Sequence, residues 1–378
     1  MKILFADFDL PYRMRDADHP FGGWSVELGA WLGALKNSGH SAGVLTWKGA
    51  GKYVGEQDLC TLLETYDPKA GIRFAKYAYS YIPSMLRAAR AFGPDVIVQS
   101  CRGVQTGILA WIAKRLGVPF VHRLASDIDA DDRYRTELPP IERAIFRYGL
   151  SRSAAFVCQN EYQAIALSAR YPNAALSIVH NPIELPATLP PVLSRTERSY
   201  IAWLGVFKKA KDLPLLVDVA RAHPDLRFRV GGNEGKGIDD TSRAALGELK
   251  ALPNVEMTGY VPRTEVYAFL SRASALLSTS SYEGFSNTFL EALAAGTPVI
   301  ARRAVDPDLI LTRHRLGLIA DDASALPGEI DRLQSMSGSD YDDLAARCRE
   351  YVVSHHSGDA KARELIATLE PIVRNGRH

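Results

Sequence analysis

Short runs of β-branched and apolar residues alternate with longer amphipathic stretches along the chain, and this alternation constrains the fold more than any other feature. Apolar runs are typical of strands buried on both faces, and amphipathic stretches are typical of crossover helices, so the pattern predicts parallel sheets covered by helices. The predicted strands are Lys2–Phe8, Ala42–Trp47, Asp95–Ser100, Val118–Leu124, Ala154–Gln159, Leu176–His180, Ser199–Val206, Leu226–Gly231, Val255–Thr258, Ala275–Thr279 and Pro298–Ala301.

A proline-rich segment interrupts the alternation near the middle of the chain. Pro182–Ser199 holds four prolines, which neither donate to a strand ladder nor continue a helix. At 378 residues the chain also exceeds the comfortable size of one hydrophobic core. We therefore predict an N-terminal domain over 1–185, a C-terminal domain over 186–357 and an amphipathic helix over 358–378.

Charge and cysteine content exclude several classes of protein. The net charge of +2 gives no strong field, so nucleic acid is not an expected partner. The four cysteines form no C-x-x-C pair, which favours reduced thiols in a cytoplasmic protein. The first residues begin a strand without an apolar signal-peptide core, and no run of eighteen apolar residues occurs.

The segment from Tyr282 to Glu291 reads YEGFSNTFLE and combines two carboxylates with a predicted helix start. It follows a predicted strand, and ligands of parallel sheets bind where strands end. The helix N-terminus offers backbone N–H groups and a partial positive charge, which suit a phosphate. Glu291 has a second interpretation, because Thr288-x-x-Glu291 matches a capping box that would only satisfy the helix itself.

The segment Glu283–Glu291, with Gly-Phe after the first glutamate and a helix ended by Gly296, resembles the E-x7-E segment of retaining GT-B glycosyltransferases. The group that it most resembles is glycosyltransferase family 4. Further pieces follow the order of that family, namely Gly22-Gly23, Asn181-Pro182, Gly205–Lys211, Gly231-Gly232 and Gly259–Pro262. The resemblance implies two Rossmann-like domains with parallel sheets across a central cleft, and a C-terminal helix that crosses back to the N-terminal domain.

The resemblance also implies roles for particular residues in binding a nucleotide-sugar donor. Glu291 would bind the ribose hydroxyls, and Glu283 would act in catalysis beside the donor sugar. The remaining donor-binding residues are then Gly22, Gly23, Gly205, Lys208, Lys211, Gly284, Phe285, Ser286 and Asn287.

The Gly205 stretch, GVFKKAKDL, departs from the family at one position. Many members have arginine directly after the glycine, where this chain has Val206. Lys211 matches the second basic position and is a catalytic candidate, and Lys208 would supply the first from an altered register. Such cations would stabilise charge on a leaving diphosphate without a metal or other cofactor, whereas the alternative is a solvated charge run.

Three residues near the end of the fourth predicted strand, Val118–Leu124, are candidates for the acceptor side, and two of them, His122 and Asp127, are also candidates for catalysis. The family has a functional histidine near this point, and the chain offers His122, Arg123 and Asp127, although His122 also suits a buried core. Asp127–Asp132, DIDADD, contains a formal D-x-D but lacks the Gly and Glu of a calcium loop. We predict that it is a solvated loop with at most one residue facing the cleft, and that no metal site is present.

A basic and aromatic stretch, Gly71–Arg90, bears on membrane contact. Arg73, Lys76, Arg87 and Arg90 follow one helical face beside aromatic residues, as in helices that lie in a membrane interface. An ordinary surface helix with an apolar inner face is the alternative.

Together these features predict a retaining glycosyltransferase that moves a sugar from a UDP- or GDP-sugar to a hydroxyl of a carbohydrate or lipid-linked acceptor. Its setting would be polysaccharide, lipopolysaccharide or glycoconjugate synthesis, in the cytoplasm or on the inner membrane face. Two alternatives remain at this point: a nucleotide-sugar epimerase of the same architecture, and a nucleotide-sugar-binding protein without catalysis.

Overall fold

The computed structural model describes residues 1–14, 22–53, 59–67, 69, 77–186, 188–235 and 238–376. The chain divides into two compact units. The first unit comprises Met1–Glu184 together with Gly358–His378, and the second comprises Leu185–Ser357.

The first unit is built on a seven-stranded parallel sheet with the order β3-β2-β1-β4-β5-β6-β7. Strand order reverses between β1 and β4, so the loops after these strands diverge at the carboxyl end of the sheet. The strands are β1 (Lys2–Ala6), β2 (Ser41–Thr46), β3 (Thr61–Glu64), β4 (Val96–Ser100), β5 (Phe120–Arg123), β6 (Ala155–Cys158) and β7 (Ala175–Ile178).

Helices cover the first sheet and include the end of the chain. They are α1 (Leu10–Met14), α2 (Gly23–Asn37), α3 (Ile82–Phe92), α4 (Val104–Leu116), α5 (Asp127–Ala130), α6 (Tyr134–Glu137), α7 (Pro140–Ser151), α8 (Glu161–Ser168) and α16 (Gly358–Asn375). Helix α16 buries Leu365 and Leu369 in the same apolar core as Leu28 and Trp31 of α2. The amphipathic terminal helix therefore completes the first unit and not the second.

The second unit has a six-stranded parallel sheet with the order β10-β9-β8-β11-β12-β13. Its strands are β8 (Tyr200–Leu204), β9 (Phe228–Gly231), β10 (Val255–Gly259), β11 (Ala273–Leu277), β12 (Val299–Arg302) and β13 (Gly317–Ala320). Its helices are α9 (Leu213–Ala222), α10 (Asp240–Ala251), α11 (Arg263–Ser271), α12 (Asn287–Ala294), α13 (Ile310–Arg313), α14 (Leu326–Ser335) and α15 (Gly338–His355).

The proline-rich connection is packed onto the second unit by a buried arginine. Arg198 donates to the carbonyl oxygens of Ala273 (2.8 Å) and Gly296 (2.8 Å), and to Thr297 Oγ1 at 2.9 Å. These bonds satisfy a guanidinium that burial deprives of water. The end of this segment is therefore part of the second unit's structure.

The predicted membrane-contact stretch is described only in part, because residues 71–76 lie outside the described residues. Tyr77, Tyr79, Arg87 and Arg90 are exposed, whereas Met85 is buried. Within the ranges that the structure describes, no helix has the length and apolar character needed to cross a membrane.

Candidate functional site

Glu283 and Lys211 meet at the carboxyl end of the second sheet. Strands β8 and β11 are neighbours, so the loops that follow them lie side by side. Lys211 Nζ donates to Glu283 Oε1 at 2.5 Å. Thr279 links the loops further, because its Oγ1 donates to the Lys211 carbonyl at 2.6 Å and accepts from Trp203 Nε1 at 3.1 Å. The two residues predicted to act beside the donor are thus brought together.

The Glu283 carboxylate is mostly shielded from water but held in its charged form. Its side chain is 19% exposed and that of Lys211 14%. Burial acts to raise the pKa of Glu283, but the attraction and hydrogen bond of Lys211, the charge of Lys208 and a 2.9 Å hydrogen bond from Ser280 Oγ hold it below its ordinary value. The pair therefore presents fixed opposite charges at neutral pH.

Arg302, at the end of β12, ties these two loops to each other. Its guanidinium donates to the carbonyls of Thr279 (2.5 Å) and Ser280 (3.1 Å), and its Nη2 lies 3.3 Å from Asp212 Oδ2. Arg302 was not predicted from the sequence, because no local pattern distinguishes it from other basic residues. Arg302 positions the backbone that carries Lys211 and Glu283.

The helix start predicted for the diphosphate is α12. Ser286 is its N-cap and Asn287 its first helical residue, so the N–H groups of the first turn give this end a partial positive charge. The ring of Phe285 packs against that of His356, with centroids 5.3 Å apart. The loop predicted to bind the diphosphate is therefore anchored by its apolar residue.

Glu291 does not cap its helix. Because α12 begins at Asn287, Thr288 lies inside the helix and Glu291 is its fifth residue, so the capping-box interpretation is wrong. The Glu291 carboxylate forms an ion pair with Arg263, the first residue of α11. Burial alone would lower the pKa of Arg263, but Glu291 raises it above its ordinary value. No local motif in the sequence assigns Arg263 this role.

The Gly205 stretch packs against the glycine pair Gly231-Gly232 at the end of β9. Gly205 N–H donates to the Gly231 carbonyl at 3.1 Å. Gly232 has a φ of +149°, and a Cβ built there would lie 1.9 Å from the Gly205 carbonyl oxygen. At Gly205 itself, a Cβ would lie 3.3 Å from Lys211 Cε. Gly232 therefore allows two backbone segments to approach each other, and Gly205 leaves room for the Lys211 side chain.

Gly232→Ala is expected to destabilise the second unit by about 3 kcal/mol, because the new Cβ meets a backbone oxygen at an unfavourable φ. The matched control is Gly247→Ala in α10, where a Cβ meets nothing within 4 Å. That substitution should stabilise by about 0.5–1 kcal/mol, since alanine is the better helix former. Thermal unfolding of both variants measures the difference, and equal Tm values would contradict the close approach described for Gly232.

The glycine pair of the first unit is less constrained. Gly22 is the N-cap of α2, and a Cβ there would meet nothing within 4 Å; Gly23 follows as the first helical residue. Asp7, which was not predicted as a site residue, lies directly after β1. Its Oδ1 accepts a hydrogen bond from Ser25 Oγ, in the first turn of α2, at 2.9 Å. Burial raises the pKa of Asp7 to about 6. Donor binding by Gly22 and Gly23 remains a prediction.

His122 and Arg123 are both fully buried. His122 packs against Phe146 and Phe156, and burial lowers its pKa to about 3, so it is neutral. Arg123 Nε donates to Glu27 Oε1 at 2.8 Å, and its Nη2 donates to Asn181 Oδ1 at 2.7 Å. Residues enclosed in this way do not contact an acceptor, so the roles predicted for them do not fit the folded unit.

The acidic run after β5 is structured and not a solvated loop, which corrects the prediction. Asp127 begins α5 and accepts from Asn160 Nδ2 (2.8 Å) and Gln163 Nε2 (2.9 Å), and burial raises its pKa to about 6. Asp129 is buried and pairs with Arg102 at 2.9 Å. Among the described residues, no three His, Cys, Asp or Glu side chains are grouped to hold a metal ion.

Two Rossmann-like units with parallel sheets give this chain the GT-B fold, and a lysine–glutamate pair lies beside a helix N-terminus in the second unit. Two family models match the chain: "Glycosyl transferase 4-like domain" over residues 22–182 and "Glycosyl transferases group 1" over residues 188–352. Together the two models cover most of the chain, which therefore belongs to the GT-B glycosyltransferases of the family 4 type.

The curated relatives are distant and are matched only in part. The D-inositol 3-phosphate glycosyltransferase of Mycobacteroides abscessus is 26% identical over 234 residues, which cover 57% of this chain and 52% of that protein. The lipopolysaccharide core biosynthesis glycosyltransferase LpsD of Rhizobium meliloti is 36% identical over 89 residues, 23% of this chain and 25% of that protein. This chain thus spans about half the length, or less, of these relatives.

Solved structures resemble the whole chain in fold. Sucrose-phosphate synthase from Thermosynechococcus elongatus superposes with a TM-score of 0.78 at 17% identity, covering 99% of this chain and 100% of that one. Anabaena HepE in complex with UDP-glucose gives 0.74 at 16% identity, covering 98% and 100%. At these identities the likeness establishes the GT-B fold alone.

Proposed function

We propose that this protein transfers a sugar from a nucleotide diphosphate sugar to a hydroxyl acceptor. The observation that carries the proposal is the Lys211–Glu283 pair, fixed beside the N-terminus of α12. Lysine and helix N–H groups suit the diphosphate, while a charged carboxylate suits the positive charge that develops on a departing sugar. The UDP-glucose complex of HepE, a protein of the same fold, supports a UDP-sugar as the donor.

The diphosphate would be neutralised by the protein itself. Lys211, Lys208 and the first turn of α12 supply positive charge around one locus, where Lys208 already acts on the Glu283 carboxylate. Two cations and a helix terminus are groups that stabilise the negative charge that develops on a nucleoside diphosphate leaving group. We therefore propose that transfer needs no metal and no other cofactor.

We propose retention of anomeric configuration from the resemblance to the family, and the state of Glu283 favours a route without a covalent glycosyl-enzyme intermediate. Its Oε1 accepts hydrogen bonds from both Lys211 and Ser280, which makes this oxygen a poor nucleophile. In the proposed step the bond from the sugar to the phosphate oxygen breaks, and the acceptor oxygen bonds to the sugar on the same face. The acceptor's proton passes to the departing phosphate oxygen, and Glu283 stabilises the sugar's positive charge.

We expect Glu291→Gln to weaken nucleotide binding about tenfold, since a charged acceptor for the ribose hydroxyls is replaced by a neutral one. The ion pair suggests that Arg263 positions this carboxylate. Glu265→Gln, an exposed acid in the same helix as Arg263, is the matched control and should leave the Kd unchanged. Calorimetric Kd values and Tm are measured together, and a lower Tm at an unchanged Kd would reject ribose binding.

Product analysis tests the proposed reaction against its alternatives. The protein is incubated with UDP- and GDP-sugars together with oligosaccharide and lipid-linked acceptors, and nucleotide and sugar products are quantified. If the protein is a transferase, one nucleoside diphosphate is released for each glycosylated acceptor. NMR of the glycosylated product should show the same anomeric configuration as the donor. Free altered sugar without acceptor would indicate an epimerase, and binding without products would indicate a non-catalytic protein.

The biological setting is proposed from the relatives' names. Two matches are lipopolysaccharide core biosynthesis glycosyltransferases of Rhizobium meliloti, which supports a role in polysaccharide or glycoconjugate assembly. A cytoplasmic location with peripheral membrane contact through Gly71–Arg90 remains a prediction.

A further inference from the structure

A groove on the first unit is lined by three arginines that the proposed transfer reaction does not use. It lies among α6, α7 and the segment after α8, and its volume is about 590 Å³. We call it the arginine groove and define it by six of its lining residues, Asp132, Arg135, Arg147, Tyr148, Arg170 and Tyr171.

The charges of the arginine groove do not balance. Asp132 Oδ1 accepts from Arg135 Nε at 2.9 Å and from Arg170 Nη2 at 2.6 Å, so one carboxylate serves two guanidinium groups. Arg147 makes no ion pair or hydrogen bond with any residue that the structure describes. Three cations and one anion leave a local charge of +2 at the groove, equal to the formal net charge of the entire chain.

This composition fits a phosphoryl group. A phosphomonoester carries about −1.5 to −2 charges near neutral pH and three strong acceptor oxygens. Guanidinium groups present planar pairs of donors that match phosphate oxygens. Tyr148 and Tyr171 also line the groove, and a tyrosine hydroxyl can donate a hydrogen bond to phosphate.

An exposed apolar residue continues the groove along α7. Ile141 is 76% exposed, and Ala144 and Tyr148 of the groove lining follow it at helical spacing, on the same face of the helix. Binding of a small soluble phosphate compound does not require an exposed apolar residue beside the groove. A surface that combines basic and apolar side chains suits the membrane interface.

We propose that the arginine groove binds the phosphoryl headgroup of an anionic membrane lipid, with Ile141 entering the interface beside it. This surface is separate from the Gly71–Arg90 stretch. The proposal does not rest on the transferase activity, because none of these residues belongs to the Lys211–Glu283 locus.

Vesicle co-sedimentation of the full chain tests the proposal. Phosphatidylcholine vesicles containing phosphatidic acid, a phosphomonoester lipid, should bind the protein well above pure phosphatidylcholine vesicles. Arg147→Gln should reduce this binding about fivefold, the contribution of one basic residue at an anionic surface. Lys114→Gln, which removes an equal charge from an exposed position on α4, is the matched control and should change it little.

A second arm distinguishes a lipid from a soluble ligand. Ile141→Ser should weaken binding to the vesicles but leave any calorimetric binding of glycerol 3-phosphate unchanged. Binding of glycerol 3-phosphate that requires Arg147, without recruitment to vesicles, would overturn the lipid assignment in favour of a soluble phosphate. Equal effects of Arg147→Gln and Lys114→Gln, or loss of vesicle binding only in Arg87→Gln, would reject the arginine groove as the membrane-binding site.

Discussion

Glu283→Gln is expected to lower kcat about a thousandfold, the scale on which a preorganised charge acts in a transition state. Glutamine keeps the shape of the side chain but removes the negative charge facing the sugar. Nucleotide affinity should change by less than about threefold, since the proposal assigns the diphosphate and ribose contacts to other groups. Steady-state turnover and calorimetric Kd for the same protein separate these effects.

The control for Glu283→Gln is Glu248→Gln, an exposed glutamate on α10 that pairs with Arg221. It should leave both kcat and Kd unchanged. Because the pKa of Glu283 lies below its ordinary value, the stability that its charge contributes is present above the ordinary glutamate pKa and is lost only as pH falls through the lowered one. Turnover by Glu283→Gln at the original rate would reject the catalytic assignment.

Lys211→Met is expected to lower kcat/KM by about a hundredfold and to weaken diphosphate binding as well, because the lysine carries two tasks. In the proposed step it neutralises the leaving group, and in the structure it donates to Glu283 at 2.5 Å. Methionine retains much of the aliphatic stem but carries no charge. Without Lys211, burial should raise the pKa of Glu283, so the activity that remains should shift toward higher pH.

Lys209→Met provides a close comparison for Lys211→Met. Lys209 belongs to the same short turn but is exposed, so its removal changes net charge equally without touching Glu283. Its kinetic constants should stay near those of the unmodified protein, and Lys208→Met should fall between the two. If Lys209→Met and Lys211→Met were equally impaired, the effect would come from general charge and not from the proposed contact.

Most of the fold could be predicted from the alternation of apolar runs and helices. The strands that were missed, β3 (Thr61–Glu64) and β13 (Gly317–Ala320), each form one of the two edges of their sheet. Edge strands are short and partly exposed, so they lack the continuous apolar run of a central strand. The amphipathic pattern of α16 predicted a helix but could not say which core buries its apolar face.

The residues of the candidate site that belong to a local sequence motif were predictable from the sequence. Glu283, Glu291 and Lys211 stand at motif positions, whereas Arg263 and Arg302 act through contacts with residues far away in sequence. Such pairs depend on which loops the sheet order brings together. Arg123 was assigned to the acceptor side for the same reason. Nothing near it in the sequence indicates that it forms a buried ion pair with Glu27.

We propose that the second unit binds a nucleotide diphosphate sugar through its own cations. Calorimetric titration of UDP-, GDP- and ADP-sugars, each in EDTA and again with magnesium, tests this proposal. We predict that at least one donor binds with a micromolar Kd in EDTA, that magnesium changes this value little, and that Lys211→Met weakens it. Absence of binding by every donor, or binding that depends on magnesium, would contradict the claim.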